Sequence, residues 1–199
     1  MKLLIATTNQ GKLREIESLI YRPDVQLLSL SDFSAASEVA ETGETFLANA
    51  TIKAAGYARQ FGVMTVADDS GLEVASLGGR PGVHSARFGG EQTPYAEKMR
   101  MLLDEIAGLE TDDRTARFVC AIAAADVSGQ IVFAEEADCS GVLANKPTGT
   151  GGFGFDPIFI PDGYGLTFAE LADGVKQKIS HRAKAVRLFI RFLGHYKPI

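Results

Sequence analysis

Residues 63–71 read VMTVADDSG, an apolar run that ends in two adjacent carboxylates, Asp68 and Asp69. The run from Val63 to Ala67 predicts a buried strand. Acids at the carboxyl end of a strand lie where open α/β sheets commonly bind ligands. If the extended backbone continued through them, the two side chains would point to opposite faces. Asp-Asp-Ser-Gly is equally typical of a turn, so this segment predicts the strand but leaves the site open.

Helices and strands surround this segment in a mixed order. The other predicted strands cover residues 2–6, 25–30, 114–125, 130–139 and a short run at 158–160. The predicted helices follow the turn at 7–11, begin near 41–45 and end at Gly62, span 95–106, and begin near Ser180. Because strands and helices do not alternate strictly, the sequence predicts an α/β fold with a mixed sheet, in two lobes.

Composition and charge exclude several classes of protein. The chain has 199 residues, 46% hydrophobic and 23% charged, an ordinary balance for a globular protein. Its formal net charge of -5 gives no basic field that would draw it onto nucleic acid or an anionic membrane. The apolar run from Leu3 to Ala6 is too short for a signal sequence or a membrane span, so we expect a cytoplasmic protein. Cys120 and Cys139 lack metal-ligand spacing and are expected to be reduced, buried thiols.

The turn after the first strand, TTNQGK at 7–12, is a candidate phosphate site. Backbone N–H groups at a helix N-terminus bind anions, and Lys12 adds a positive charge. It is not a Walker A loop, because Ala6 and Leu13 stand where that motif needs Gly and Ser or Thr. From these residues alone, a phosphate site and an ordinary capped turn are equally supported.

Asn49 and Lys53 form a second candidate group, with Glu41 just before their helix. Their spacing of four puts Asn49 and Lys53 on one helical face. Beside an acidic metal site, Lys53 would neutralise a triphosphate tail. Taken alone, a solvated helix face is the better interpretation.

The glycine-rich segment GTGGFGFDP at 149–157 contains a formal GxGxxG pattern. A dinucleotide fingerprint must open a helix, and Pro157 biases Asp156 away from helix, so we reject that interpretation. A tight loop with two rings, Phe153 and Phe155, fits better. Such a ring either stacks on a nucleobase or packs in the core.

Lys176 and the segment SHR at 180–182 add positive charge near the last predicted helix. His181 and Arg182 are able to hydrogen-bond a base edge or a phosphate. The alternative is surface charge at a helix start. Positive charge in a first helical turn opposes the helix dipole, so an anionic partner is expected there.

Taken together and in this order, the segments resemble the inosine triphosphate pyrophosphatase family over nearly the whole chain. The matching motifs are ATTNQGK at 6–12, ETG at 41–43, Asn49 with Lys53, ADDSGL at 67–72, PGVHSAR at 81–87, TGGFGFDPIF at 150–159 and ISHR at 179–182. The resemblance implies one two-lobed nucleoside-triphosphate pyrophosphatase domain over residues 1–199, with a substrate cleft between the lobes, and a homodimer.

The resemblance also implies an activity: Mg²⁺-dependent hydrolysis of ITP, dITP and XTP to the monophosphate and pyrophosphate, which cleanses the nucleotide pool. It implies that Glu41 and Asp69 hold Mg²⁺, that Asp69 is the general base and that Asp68 is a supporting acid. The implied substrate contacts are Thr7, Thr8, Asn9, Gln10, Gly11, Lys12, Lys53, Ser70, Phe153, Gly154, Phe155, Asp156, Lys176, His181 and Arg182. The alternatives are a Maf-type nucleotide pyrophosphatase with another base preference and a non-catalytic nucleotide-binding regulator.

Overall fold

The computed structural model describes residues 1–34 and 36–196. Its strands are β1 (Lys2–Ile5), β2 (Gln26–Ser29), β3 (Thr65–Val74), β4 (Thr115–Ala125), β5 (Ile131–Leu143) and β6 (Phe159–Pro161). Its helices are α1 (Gln10–Leu19), α2 (Phe46–Phe61), α3 (Tyr95–Ala107), α4 (Asp173–Ile179) and α5 (His181–His195). Short 3₁₀ turns lie at Leu30–Asp32, Ala75–Leu77, Gly82–Arg87 and Asp156–Ile158. In the part of the chain described, no helix is both long and apolar enough to cross a membrane.

The strands form a mixed sheet in the order β2-β1-β3-β4-β5-β6. β1 pairs in parallel with both β2 and β3, whereas β5 and β6 run antiparallel. A mixed sheet with helices confirms the predicted fold class. The short strands β1 and β2 are parallel because α1 connects them, as a crossover helix does in βαβ units.

The chain divides into two compact units. The first unit comprises Met1–Asp69, Cys120–Ala137 and the segment from His181 onward, and the second comprises Ser70–Val119 and Asp138–Ser180. The predicted single domain and the predicted cleft between lobes stay predictions.

Each unit has its own apolar core. In the first unit, Ile16 of α1 and Phe189 of α5 pack with strand residues such as Leu3 and Ile122, and all four are at most 1% exposed. Cys120 lies in this core, where burial raises the pKa of its thiol to about 12. Cys120 and Cys139 are both free and buried, as predicted. The core of the second unit gathers apolar residues of β3, β4, β5 and β6 around α3.

Three elements differ from their predictions. β3 does not end before the acids but continues to Val74, so Asp68 and Asp69 lie in mid-strand, not at its carboxyl end or in a turn. β5 extends to Leu143, four residues beyond the prediction. The sequence also missed α4, a two-turn helix that ends directly before α5 and carries Lys176.

Gly141 on β5 offers a test of the pairing between β5 and β6. It faces Pro161 of β6, and a Cβ added to it would lie against the carbonyl oxygen of Ile160, well inside van der Waals contact. Gly141→Ala should therefore lower the free energy of unfolding by about 1–3 kcal/mol, measured by urea denaturation. Gly194→Ala is the control, since a Cβ added there would point into open space away from the backbone of its own helix, and alanine favours helix. An unchanged midpoint for Gly141→Ala would contradict the β5–β6 pairing.

Candidate active site

The alternation of side chains along β3 gives its two acids different neighbours. The Asp68 carboxylate contacts Lys12 and Arg182, whereas the Asp69 carboxylate contacts Asn49 and Lys53. The Asp68 side chain is completely buried, and that of Asp69 is 10% exposed. A water or a substrate can therefore reach only the second of the two acids.

Lys12 on α1 forms an ion pair with Asp68. α1 begins after Asn9, whose side-chain oxygen accepts hydrogen bonds from the N–H groups of Gly11 at 2.9 Å and Lys12 at 3.1 Å. This cap fixes the first helical turn, and the Lys12 Nζ lies 3.2 Å from Asp68 Oδ2. Two of the N–H groups expected to bind phosphate are thus occupied by Asn9, while Thr8 and Gln10 beside them are exposed.

Arg182, in the first turn of α5, binds the same oxygen of Asp68. Its Nε donates to Asp68 Oδ2 at 3.3 Å, and its Nη1 donates to Glu15 Oε2 at 2.5 Å. The anionic partner expected for this positive charge is thus found within the chain. Arg182 is 2% exposed and its neighbour His181 is 4% exposed. Their implied contacts with a substrate stay predictions.

Glu15 is a site residue that the sequence reasoning missed. It stands three residues after Lys12, and this spacing puts both side chains on one face of α1. That spacing was the only local signal, because its partner Arg182 lies 167 residues away in the chain.

Asn49 and Lys53 lie on one face of α2, as their spacing of four predicted, and both hold Asp69. Both are buried, so the solvated helix face preferred from these residues alone is wrong. Asn49 donates its amide to Asp69 Oδ2 at 3.2 Å, while its oxygen accepts the N–H of Gly43 at 2.8 Å. Asn49 therefore ties the segment before α2 to the acid. The side chain of Lys53 reaches the second oxygen, Asp69 Oδ1, at 3.2 Å.

Glu41 and Asp69, the two implied Mg²⁺ ligands, converge on one point. The Nζ of Lys53 lies 3.2 Å from Glu41 Oε2 and 3.2 Å from Asp69 Oδ1. Two carboxylate oxygens that meet at a single cation are donors of the kind that Mg²⁺ takes in proteins. Among residues 1–34 and 36–196, no group of three or more His, Cys, Asp or Glu side chains forms a metal cage. The residues fit a Mg²⁺ that completes its coordination with water and phosphate oxygens.

The pKa values of the two acids are shifted in opposite directions. Burial alone would raise the pKa of Asp68, but the positive charges of Lys12, Arg182 and Lys53 outweigh it and hold that pKa well below its usual range. Burial also raises the pKa of Asp69; Lys53 and Lys12 oppose the shift, and the negative charges of Glu41 and Asp68 add to it. Asp68 is therefore the acid that stays charged at neutral pH, and Asp69 is the acid that binds a proton more readily.

A second polar cluster lies in the second unit. Asp156 accepts the N–H of Phe153 at 2.7 Å and forms an ion pair with Lys176 at 2.5 Å. The two rings of the glycine-rich loop have different environments. Phe155 is 3% exposed and packs edge-on against Tyr95, so it belongs to the core, whereas Phe153 is half-buried.

The implied substrate contacts fall into two groups. The first unit contains Thr7, Thr8, Asn9, Gln10, Gly11, Lys12, Lys53, His181 and Arg182. The second unit contains Ser70, Phe153, Gly154, Phe155, Asp156 and Lys176. Within the first unit, Lys12 and Lys53 both contact the acid pair. Within the second, Lys176 and the Phe153 loop meet at Asp156.

Comparison with known proteins places this chain in a family. The model of the Ham1 family matches residues 3–192. The chain belongs to the Ham1 family. The resemblance drawn from its motifs is therefore confirmed.

Several Ham1-family relatives match over nearly their full length. A dITP/XTP pyrophosphatase of Geobacillus kaustophilus (strain HTA426) is 49% identical over 185 residues, 93% of this chain and 90% of that protein. A dITP/XTP pyrophosphatase of Bacillus subtilis (strain 168) is 42% identical over 190 residues, 96% of each. Among solved structures, a HAM1 protein from Coxiella burnetii superposes with a TM-score of 0.89 at 34% identity, covering 98% of this chain and 100% of that one.

The opposite pKa shifts of the two acids predict that replacing each by asparagine changes the free energy of unfolding differently. Asp68→Asn should lower the free energy of unfolding at pH 7 by about 3–5 kcal/mol, because it removes one of two anions that compensate buried Arg182. The folded-state pKa of Asp68 lies below its unfolded value, so its charge stabilises the fold above about pH 4 and less as the pH falls further. Urea titrations should show that the difference in free energy of unfolding between wild type and Asp68→Asn becomes smaller below that pH.

Asp69→Asn is the matched control for this measurement. The fold disfavours the charged form of Asp69, whose pKa is raised, so a neutral side chain of the same shape should leave the stability at pH 7 unchanged or higher. Equal losses in the two variants would contradict the division of the acids into a paired anion and a protonatable one.

Proposed function

We propose that this Ham1-family chain hydrolyses dITP and XTP, and ITP by the same chemistry, to the monophosphate and pyrophosphate with the help of Mg²⁺. The observation that carries the proposal is the position of Asp69, partly accessible, between Asn49 and Lys53 and facing Glu41. The relatives from Geobacillus kaustophilus and Bacillus subtilis, named dITP/XTP pyrophosphatases, support the substrate class.

Asp69 serves as the general base in this proposal. Its carboxylate takes a proton from the attacking water, and Asn49 and Lys53 keep that carboxylate oriented. A base works best when its pKa approaches the working pH, which is the direction of the shift at Asp69. Asp68, without exposed surface, does not touch the water or the substrate but holds Lys12 in place.

The negative charge of the triphosphate must also be neutralised. Glu41 and Asp69 would hold Mg²⁺, which when bound neutralises phosphate oxygens and stabilises charge at the reacting phosphorus. Lys12 and Lys53 supply further positive charge. The exposed start of α1, including Thr8 and Gln10, offers polar groups to the phosphates. Phe153 and Lys176 are two of the substrate contacts that the family resemblance implies, and in this proposal Phe153 lies near the base. The proposed assembly is a cytoplasmic homodimer.

A panel of nucleoside triphosphates tests the activity directly. With Mg²⁺ present, we expect pyrophosphate release from dITP, XTP and ITP at rates at least about tenfold above those from ATP, because a site built for a 6-oxo group leaves donors unpaired with adenine. Replacing Mg²⁺ with EDTA should abolish release. Activity confined to pyrimidine triphosphates would instead indicate a Maf-type preference, and binding without release would indicate a regulator.

Asp69→Asn tests the general base. It should lower kcat for ITP by about 10²–10⁴-fold, because asparagine cannot accept a proton from water. Pyrophosphate release is the measurement, and a thermal melt verifies that the variant is folded. The control is Asp24→Asn, a surface carboxylate 62% exposed and paired only with Arg22 among the contacts described, which should leave kcat unchanged. Near-normal turnover by Asp69→Asn would disprove the assignment.

A further inference from the structure

The segment PGVHSAR at 81–87 contains no residue of the proposed catalytic machinery. It forms the 3₁₀ turn Gly82–Arg87, which lies in the second unit. The hydroxyl of Ser85 bonds to the backbone of β3, and the carbonyl oxygen of Ala86 accepts a hydrogen bond from the ammonium of Lys98 on α3, a residue only 1% exposed. The turn is therefore tied to both β3 and α3.

The Ser85 hydroxyl supplies the backbone of β3 with bonds of the kind that a neighbouring strand makes. Its oxygen accepts the N–H of Leu72 at 2.9 Å, and its proton is donated to the carbonyl oxygen of Gly82 at 2.6 Å. Two residues further along the strand, the N–H of Val74 donates to the carbonyl oxygen of Arg80 at 3.2 Å. Because Ser85 is 5% exposed, the bond at Leu72 satisfies a buried backbone donor, whose loss of a partner is costly.

Gly71 is what lets the turn approach β3 this closely. A Cβ added to Gly71 would lie against the hydroxyl oxygen of Ser85 and the carbonyl oxygen of Gly82, well inside van der Waals contact. Gly71 lies within the extended strand β3, so the lack of space, and not backbone freedom, requires glycine here. The glycine that follows the two acids and Ser70 is therefore part of the contact with Ser85.

Ser70 lies directly beside this contact. It is half-buried in β3, two residues before Leu72, and it is one of the substrate contacts that the family resemblance implies. Its neighbour on the other side, Asp69, has separate hydrogen bonds from Asn49 and Lys53. Loss of the bond at Leu72 would therefore displace Ser70, while Asp69 would stay held by its own partners.

We propose that Ser85 is a positioning residue for substrate binding, which acts through Leu72 to hold Ser70 in place and does not itself touch the nucleotide. Its one hydroxyl proton is donated to Gly82, so the side chain serves the strand and not a ligand. The inference rests on the proposed function, because the substrate contact of Ser70 is part of that function. It gives the PGVHSAR motif a role in nucleotide binding.

Ser85→Ala tests this role. It removes the hydroxyl acceptor of the Leu72 N–H and changes no group proposed to hold the metal or to move a proton. We expect KM for ITP to rise about three- to tenfold, which corresponds to the net contribution of one hydrogen bond. The value of kcat should stay within about twofold of wild type, because a contact made equally in the ground and transition states changes KM alone.

Thr65→Val is the matched control on the same strand. Thr65 is completely buried near the start of β3, and its hydroxyl donates to the carbonyl oxygen of Val63 at 2.9 Å. Loss of this bond should lower the melting temperature and leave KM unchanged. If the role of Ser85 were only structural, Ser85→Ala would behave in the same way, with a lower melting temperature and a wild-type KM for the folded fraction. That result would overturn the proposal.

Amide hydrogen exchange in the wild type gives a second measurement, which does not depend on whether Ser85→Ala folds. Coupling between two sites is reciprocal, so a nucleotide that uses Ser70 must in turn stabilise the bond at Leu72. With IMP, the expected product, at saturation, exchange of the Leu72 N–H should slow about three- to tenfold more than that of the Leu4 N–H, which bonds to Met64 at 2.9 Å in the first unit. Equal slowing of the two amides would overturn the proposal.

The same assays separate this inference from the proposed function. Turnover of ITP by the wild type, with an unchanged KM in folded Ser85→Ala, overturns the inference alone. Absence of turnover by the wild type on every triphosphate overturns the proposed function and, with it, the inference.

Discussion

The ion pairs of Asp68 organise the first unit. A charge taken out of water costs several kcal/mol unless partners compensate it, and Asp68 has no exposed surface. Its carboxylate therefore requires two cations, Lys12 from α1 and Arg182 from α5. Arg182, itself buried, requires a second anion, which Glu15 supplies. One buried charge thereby fixes the relative placement of two helices and a strand in this unit.

The two acids acquire different chemistry from one backbone rule. Successive side chains on a strand point to opposite faces, so Asp68 meets the cations of α1 and α5 while Asp69 meets α2. Asp69 shares its lysine with Glu41, another acid. The environments push the two pKa values apart, downward for Asp68 and upward for Asp69. Adjacent carboxylates with separated pKa values are a recurring arrangement where one acid supports a site and the other exchanges a proton.

Local sequence patterns predicted the features that nearby residues determine, and they did not predict contacts between residues far apart in the chain. Short-range periodicity predicts the strand at Val66 and the shared face of Asn49 and Lys53. The preference for glycine at a helix end predicts Gly62 at the end of α2. Turn propensity at Asp68 to Gly71 misled, because pairing with distant cations and neighbouring strands holds that segment extended. The short α4 lacks an apolar stripe long enough to detect. The link between Arg182 and Glu15 spans 167 residues, so no local signal announces it.

Charge balance explains why a cation is expected beside Asp69 and not beside Asp68. Around Asp68, the two acids, Asp68 and Glu15, face the two cations Lys12 and Arg182, so that group is neutral. Around Asp69, two acids share Lys53, which leaves one negative charge in excess. Burial raises the pKa of Asp69 in the free chain, and the negative charges of Glu41 and Asp68 add to that shift. The proposed Mg²⁺ would offset the excess negative charge and would let Asp69 ionise. The excess charge that destabilises the metal-free fold locally would therefore attract the metal to Asp69.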